Sequence, residues 1–167
     1  MAHDDNNTAA PPSLAKSSDP SALLPPNPYN RLCWVVGEPV IGAGCWIGAF
    51  TLIDGSGGLT IGAGCNISSG AQILTHSSMR RTVTERRHPH VDRAPTTIGD
   101  YCFIGANAVI LMGSTIGHHS VIAAGAVVKE FSVFEPYSLI AGVPAVRKGA
   151  VDLEALLTKH LGVDTID

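Results

Sequence analysis

The chain reads as an all-β solenoid, a coil with three flat sides, and three observations predict this. An aliphatic residue recurs every six positions, and a small residue stands four places after it. Glycine is frequent and aromatics are scarce, with 18 glycines in 167 residues against 5% Phe, Trp and Tyr. One large and one small residue per six suits a coil whose interior takes the large side chain and whose tight corner takes the small one. Gly, Asn or Asp beside the small residue eases the turn.

In chain order, residues 1–30 come first. They carry six prolines and few large apolar groups, which predicts an extended arm rather than a helix or strand. The opening shows no basic stretch followed by an apolar run, and nowhere do the roughly eighteen apolar residues of a bilayer span occur together. A cytoplasmic protein without a membrane span is therefore expected. The formal net charge of -3 gives no general reason to expect a nucleic-acid partner.

The repeat follows. "IGAGCW IGAFTL IDGSGG" starts hexads at Ile41, Ile47 and Ile53, and after a two-residue insertion "IGAGCN ISSGAQ ILTHSS" starts them at Ile61, Ile67 and Ile73. "IGDYCF IGANAV ILMGST IGHHSV IAAGAV VKEFSV" starts the rest at Ile98, Ile104, Ile110, Ile116, Ile122 and Val128. The fifth places are all small, Gly57 and Ser77 among them, and Val35, Phe134, Ile140 and Val146 continue the spacing outward. The repeat is thus expected over about 31–148. Cys45, Cys65 and Cys102 fall on fifth places, where a small buried apolar residue is wanted, and no CxxC or zinc-finger spacing occurs. In residues 149–167, Leu153, Leu156, Leu157 and Leu161 predict a short amphipathic helix that covers the open end of the solenoid.

One interruption stands out. From Ile73 to Ile98 is 25 residues where a hexad needs six, which predicts a loop over 77–97. Met79 to Arg93 holds five arginines against one Glu and one Asp, so an anion is the expected visitor. A Rossmann reading of "IGAGCWIG" fails, because Ile47 stands where the third glycine is needed.

The hexads resemble the left-handed parallel β-helix of hexapeptide-repeat proteins. With three hexads per coil, Ile41, Ile61, Ile98 and Ile116 are expected to stack in one column at about 4.8 Å. "THSS", the long loop, "IGDYCFIGANAVILMGSTIG", "VIAAGAVV" and "AGVPA" are together similar to the acyltransferases of that family, in the branch of galactoside and maltose acetyltransferases. The resemblance implies an acetyl-CoA-dependent enzyme without a metal, a saccharide or nucleotide-sugar acceptor, and a homotrimer with sites between subunits.

His76 matches the family's general base, and imidazole suits the task because it titrates near neutral pH. On the acceptor side the resemblance and the loop charge nominate Asp54, Asn66 in a turn, Arg80, Arg81 and His88. A turn-forming Asp54 is the other reading. For coenzyme A they nominate Ala106 and Ala124, whose backbone would meet the pantetheine, and Lys129, Arg147 and Lys148 for the phosphates. The sequence departs from the family at Ala123, where glycine is common, and in having the Pro-rich arm at its start. A noncatalytic assembly protein is the alternative. A carbonic anhydrase on the same fold is disfavoured, because Ala106 and Met112 stand where metal-binding histidines are needed.

Overall fold

The computed structural model describes Leu24 and residues 27–158. Most of the predicted N-terminal arm and the end of the C-terminal segment lie outside the described residues.

The chain winds as a left-handed parallel β-helix of five coils. The first coil holds β1 (Trp34–Val36), β2 (Val40–Ile41) and β3 (Trp46–Ile47); the second holds β4 (Leu52–Asp54), β5 (Leu59–Ile61) and β6 (Asn66–Ile67). The third begins with β7 (Gln72–Ile73) and is interrupted by β8 (His76–Ser77), α1 (Met79–Val83) and β9 (Asp92–Arg93). It resumes with β10 (Thr96–Ile98) and β11 (Phe103–Ile104). The fourth holds β12 (Val109–Ile110), β13 (Thr115–Ile116) and β14 (Val121–Ile122). The fifth holds β15 (Val127–Val128), β16 (Val133–Phe134) and β17 (Ser138–Gly142), and β18 (Ala145–Ala150) and α2 (Leu153–Thr158) follow.

Strands of successive coils pair in parallel and form three five-rung sheets. The first sheet aligns Val35, Ile53, Ile73, Ile110 and Val128. The second aligns Ile41, Ile61, Ile98, Ile116 and Phe134, as the period predicts. The third aligns Ile47, Ile67, Ile104, Ile122 and Ile140. These residues make the core, and most are fully buried. Two-residue strands cannot stand alone. Each is held by backbone bonds to the coils above and below and by one aliphatic side chain stacked on the next.

At the corner between the second and third sheets the cysteine column is present. The Sγ–H of Cys45, Cys65 and Cys102 donates to the carbonyl of Gly62, Gly99 and Gly117 at 3.1, 3.2 and 3.2 Å. Each thiol ties its corner to the coil that follows, and Ser120 continues the column with a bond to Glu135.

Three expectations need correction. Gly57 and Ser77 are not corner residues. Leu59 and Thr96, paired in register and both buried, fill that column instead, because the insertion and the loop displace the count. Val146 is not on a further coil: the chain reverses after Gly142, and β18 runs antiparallel on β17 as a sixth strand of the third sheet. The helix exists as α2, but Leu153, Leu156 and Leu157 are exposed, so it covers nothing among the described residues. The loop predicted over 77–97 carries α1, and its neck is a two-stranded antiparallel ribbon of β8 and β9.

Among the described residues no helix is long and apolar enough to cross a membrane. Ile61 lies between Ile41 and Ile98 with no room to relax, so Ile61→Ala is expected to lower the unfolding free energy by about 2–5 kcal/mol in denaturant titration. Thr60→Ala, one residue away and pointing outward, is expected to change it by less than about 0.5 kcal/mol.

Candidate active site

The chain leaves the prism at the edge between the first and second sheets, and it does so from a fixed platform. Asp54 ends β4, directly beneath the point where Thr75 and His76 leave the third coil. The Thr75 backbone N–H donates to Asp54 Oδ2 at 2.8 Å, and its hydroxyl reaches the Asp54 carbonyl at 2.8 Å and Oδ2 at 3.0 Å. The Ser56 N–H donates to Asp54 Oδ1 at 2.9 Å. The inserted turn is part of this platform. The Gly57 N–H donates to Thr75 Oγ1 at 2.8 Å, and a side chain at Gly57 would run into the Thr75 carbonyl oxygen. Glycine is required there by close approach.

His76 stands on top. Its Nδ1 lies 2.6 Å from Asp54 Oδ2 and 3.4 Å from the Ser56 hydroxyl. Asp54 is 1% exposed and the His76 side chain 41% exposed, so a buried carboxylate supports an imidazole that faces out. Burial opposes ionisation of Asp54. The hydrogen bonds from Ser56, the Thr75 backbone and His76 outweigh it and hold the carboxyl well below the usual carboxylate range. An ionised carboxylate only accepts, so Nδ1 carries the hydrogen, and in the neutral ring Nε2 then presents its lone pair outward. Nε2 has no protein partner among the described residues.

Asp54 is therefore not at an acceptor surface. Both its oxygens are occupied by Thr75, Ser56 and His76, and it orients the imidazole from behind. Sequence reasoning singled out the residue but not this role, since the contact spans two coils and depends on the inserted turn.

The remaining nominated residues are dispersed. Asn66 is on strand β6 rather than in a turn, exposed on the third sheet between Trp46 and Phe103. Arg80 is exposed and paired with a carboxylate: its Nε donates to Asp92 Oδ2 at 2.9 Å and a terminal nitrogen reaches Oδ1. His88 Nε2 lies 3.4 Å from the same carboxylate. Arg81 is half-buried with an unpartnered Nε and, with Ser78, Thr82, Glu85 and Arg86, lines a cavity of about 340 Å³ on the loop.

Ala106 and Ala124 occupy one edge, between the third and first sheets, where the Gly125 N–H donates to the Ala106 carbonyl at 2.8 Å. Lys129 is exposed on the His76 edge. Arg147 and Lys148 lie on β18, and Arg147 Nε donates to Ser138 Oγ at 3.3 Å. Among the described residues no three His, Cys, Asp or Glu side chains gather into a metal site.

Residues 95–130 match the family model of the bacterial transferase hexapeptide, six repeats. Solved structures of similar fold include AntD, an N-acyltransferase from Bacillus cereus in complex with dTDP and 3-hydroxybutyryl-CoA. The two chains are 22% identical, with a TM-score of 0.65 over 75% of this chain and 70% of that one. A hexapeptide-repeat-containing acetyltransferase from Vibrio cholerae is 29% identical, with a TM-score of 0.51 over 72% and 70% of the two chains. A maltose O-acetyltransferase from Clostridium difficile 630 is 21% identical, with a TM-score of 0.56 over 72% and 67%. No curated protein sequence matches the chain.

The platform has a pH signature. The folded-state pKa of Asp54 lies below the unfolded value of about 3.9. Ionised Asp54 therefore stabilises the fold above about pH 4, and this contribution is lost as pH falls further toward the depressed value. In thermal melts across pH, the gap between the natural protein and Asp54→Asn is expected to be widest near neutrality and to narrow below about pH 4.

Proposed function

We propose that the protein is an acetyl-CoA-dependent acyltransferase that acetylates a hydroxyl or amino group of a saccharide or nucleotide sugar in a ternary complex, with His76 as general base. The observation that carries the reading is the Asp54–His76 pair at 2.6 Å, buried at the carboxylate and open at Nε2. The acyltransferases among the similar structures, including one bound to dTDP and an acyl-CoA, support the reaction class.

In this mechanism the acceptor hydroxyl approaches His76 Nε2 and gives up its proton as its oxygen attacks the thioester carbonyl carbon. The C–O bond forms, the C–S bond breaks, and coenzyme A leaves with the electron pair and takes up a proton. Asp54 holds the ring in the tautomer whose Nε2 can accept, and it stabilises the imidazolium that forms. An amine acceptor attacks through its nitrogen lone pair and loses its proton to the same atom. General base catalysis of this kind contributes on the order of a hundred- to ten-thousandfold, and holding the two substrates together supplies much of the rest.

The homotrimer is supported by where the nominated residues lie. His76 is on one edge of the prism and Ala106 and Ala124 are on another, so a single chain does not turn both toward one ligand. A neighbouring prism that offers its alanine edge to the His76 edge completes the site, with pantetheine running along the alanine backbone. Arg147 and Lys148 on β18, and Lys129, are the cations assigned to the coenzyme A phosphates. A nucleotide-sugar acceptor is favoured by the cavity that Arg81 and Arg86 line, with Asn66 and His88 as further acceptor contacts. Residues 31–148, including the loop over 77–97, form the catalytic unit in this reading. The four free cysteines fit a reducing compartment, and we place the enzyme in the cytoplasm.

The test is an acceptor screen with acetyl-CoA, read by release of free thiol. With an accepted sugar, His76→Ala is expected to lower kcat about a hundredfold or more at unchanged fold. Near-normal turnover in that variant contradicts the assignment.

A further inference from the structure

His76 is gripped from the coil side by Asp54, but its backbone also begins the excursion, and something has to hold the excursion's neck. The β8–β9 ribbon has only two residue pairs, His76 with Arg93 and Ser77 with Asp92. One further backbone bond, from the Ala94 N–H to the Thr75 carbonyl at 3.1 Å, continues it toward the coil. A ribbon this short is marginal in water. If it opened, His76 would keep its side-chain bond to Asp54 but lose the backbone constraint that aims Nε2.

The loop closes the neck with side chains. Asp92, paired in the ribbon with Ser77, accepts from Arg80 with both oxygens, Nε to Oδ2 at 2.9 Å and a terminal nitrogen to Oδ1. Arg80 lies on α1, directly after β8, so this fork ties the outgoing leg of the loop to the returning one. His88, four residues before Asp92 on the returning leg, has its Nε2 3.4 Å from Asp92 Oδ1 without a hydrogen bond, so the tie between the two legs is the Arg80 fork. Fork-to-fork pairing fixes orientation as well as distance. The hydrogen bonds from Arg80 also hold the Asp92 carboxyl below the usual carboxylate range, so it remains ionised wherever an imidazole base is active.

We propose that Arg80 and Asp92 are positioning residues for His76: their ion pair locks the loop neck and thereby holds the general base in its reactive orientation. This rests on the assignment of His76 as base. It removes Arg80 from the anion-binding arginines and leaves Arg81 and Arg86 in that role.

The experiment compares Asp92→Asn, Arg80→Gln and the charge-swapped pair Arg80→Asp with Asp92→Arg, in the full chain, with the acceptor found by the screen. Each single variant is expected to lower kcat about ten- to a hundredfold with the KM for acetyl-CoA unchanged, and the swapped pair is expected to recover most of the loss. Amide hydrogen exchange at residues 92–94 is expected to accelerate about tenfold in the single variants while the coil amides stay protected. This second readout needs no acceptor, and the milder Arg80→Lys, which keeps charge but loses the fork, serves if a stronger variant does not fold.

Full kcat with unchanged exchange in Asp92→Asn and Arg80→Gln overturns the proposal. So does a rise in acceptor KM alone for Arg80→Gln, which makes Arg80 a substrate contact. His76→Ala separates the two claims. If it alone is inactive, the base stands and the clamp falls; if it remains active, the base assignment itself falls.

Discussion

One constraint governs the molecule: each coil has to place its aliphatic residue on that of the coil before it, in all three columns at once. Because the register is set by these stacks, every corner residue stands at a known height and edge. The site is one consequence. Asp54 and Thr75 come from successive coils at the same corner, and the stacking of Ile53 on Ile73 brings them within hydrogen-bond reach. A buried carboxylate is costly unless donors surround it, and here the coil backbone provides them before any substrate arrives.

The site is also where the repeat is broken twice. The insertion after Asp54 lets Gly57 approach Thr75, and the excursion after Thr75 takes His76 out of the prism. Both breaks are absorbed without disturbing the columns, since Leu59 and Thr96 meet in register where the two detours rejoin the coil. The solenoid thus continues unchanged in the coils that follow, and the edge carrying Ala106 and Ala124 keeps its regular geometry.

Most of the fold was legible in the sequence because a period of six leaves little freedom, and the column from Ile41 to Ile116 follows from counting alone. Counting failed where it was extended past its physical basis. Val146 keeps the spacing but sits on a strand that has reversed direction, and Ser77 keeps it inside an antiparallel ribbon. At the site, His76 and Asp54 were both visible as residues. Their relation was not, since residues 22 positions apart meet only when two coils stack with an insertion between them. Arg80 shows the same limit from the other side: composition counts a positive charge, and only the folded loop shows that Asp92 pairs with it.

The central claim is that Asp54 holds His76 with the hydrogen on Nδ1 and the lone pair on Nε2. The most direct measurement is ¹⁵N NMR of the histidine side chains, with the His76 signals assigned by their loss in His76→Gln. The account predicts a neutral His76 protonated at Nδ1 and bare at Nε2, a state that Asp54→Asn abolishes. A neutral ring protonated at Nε2, or one indifferent to Asp54→Asn, contradicts it.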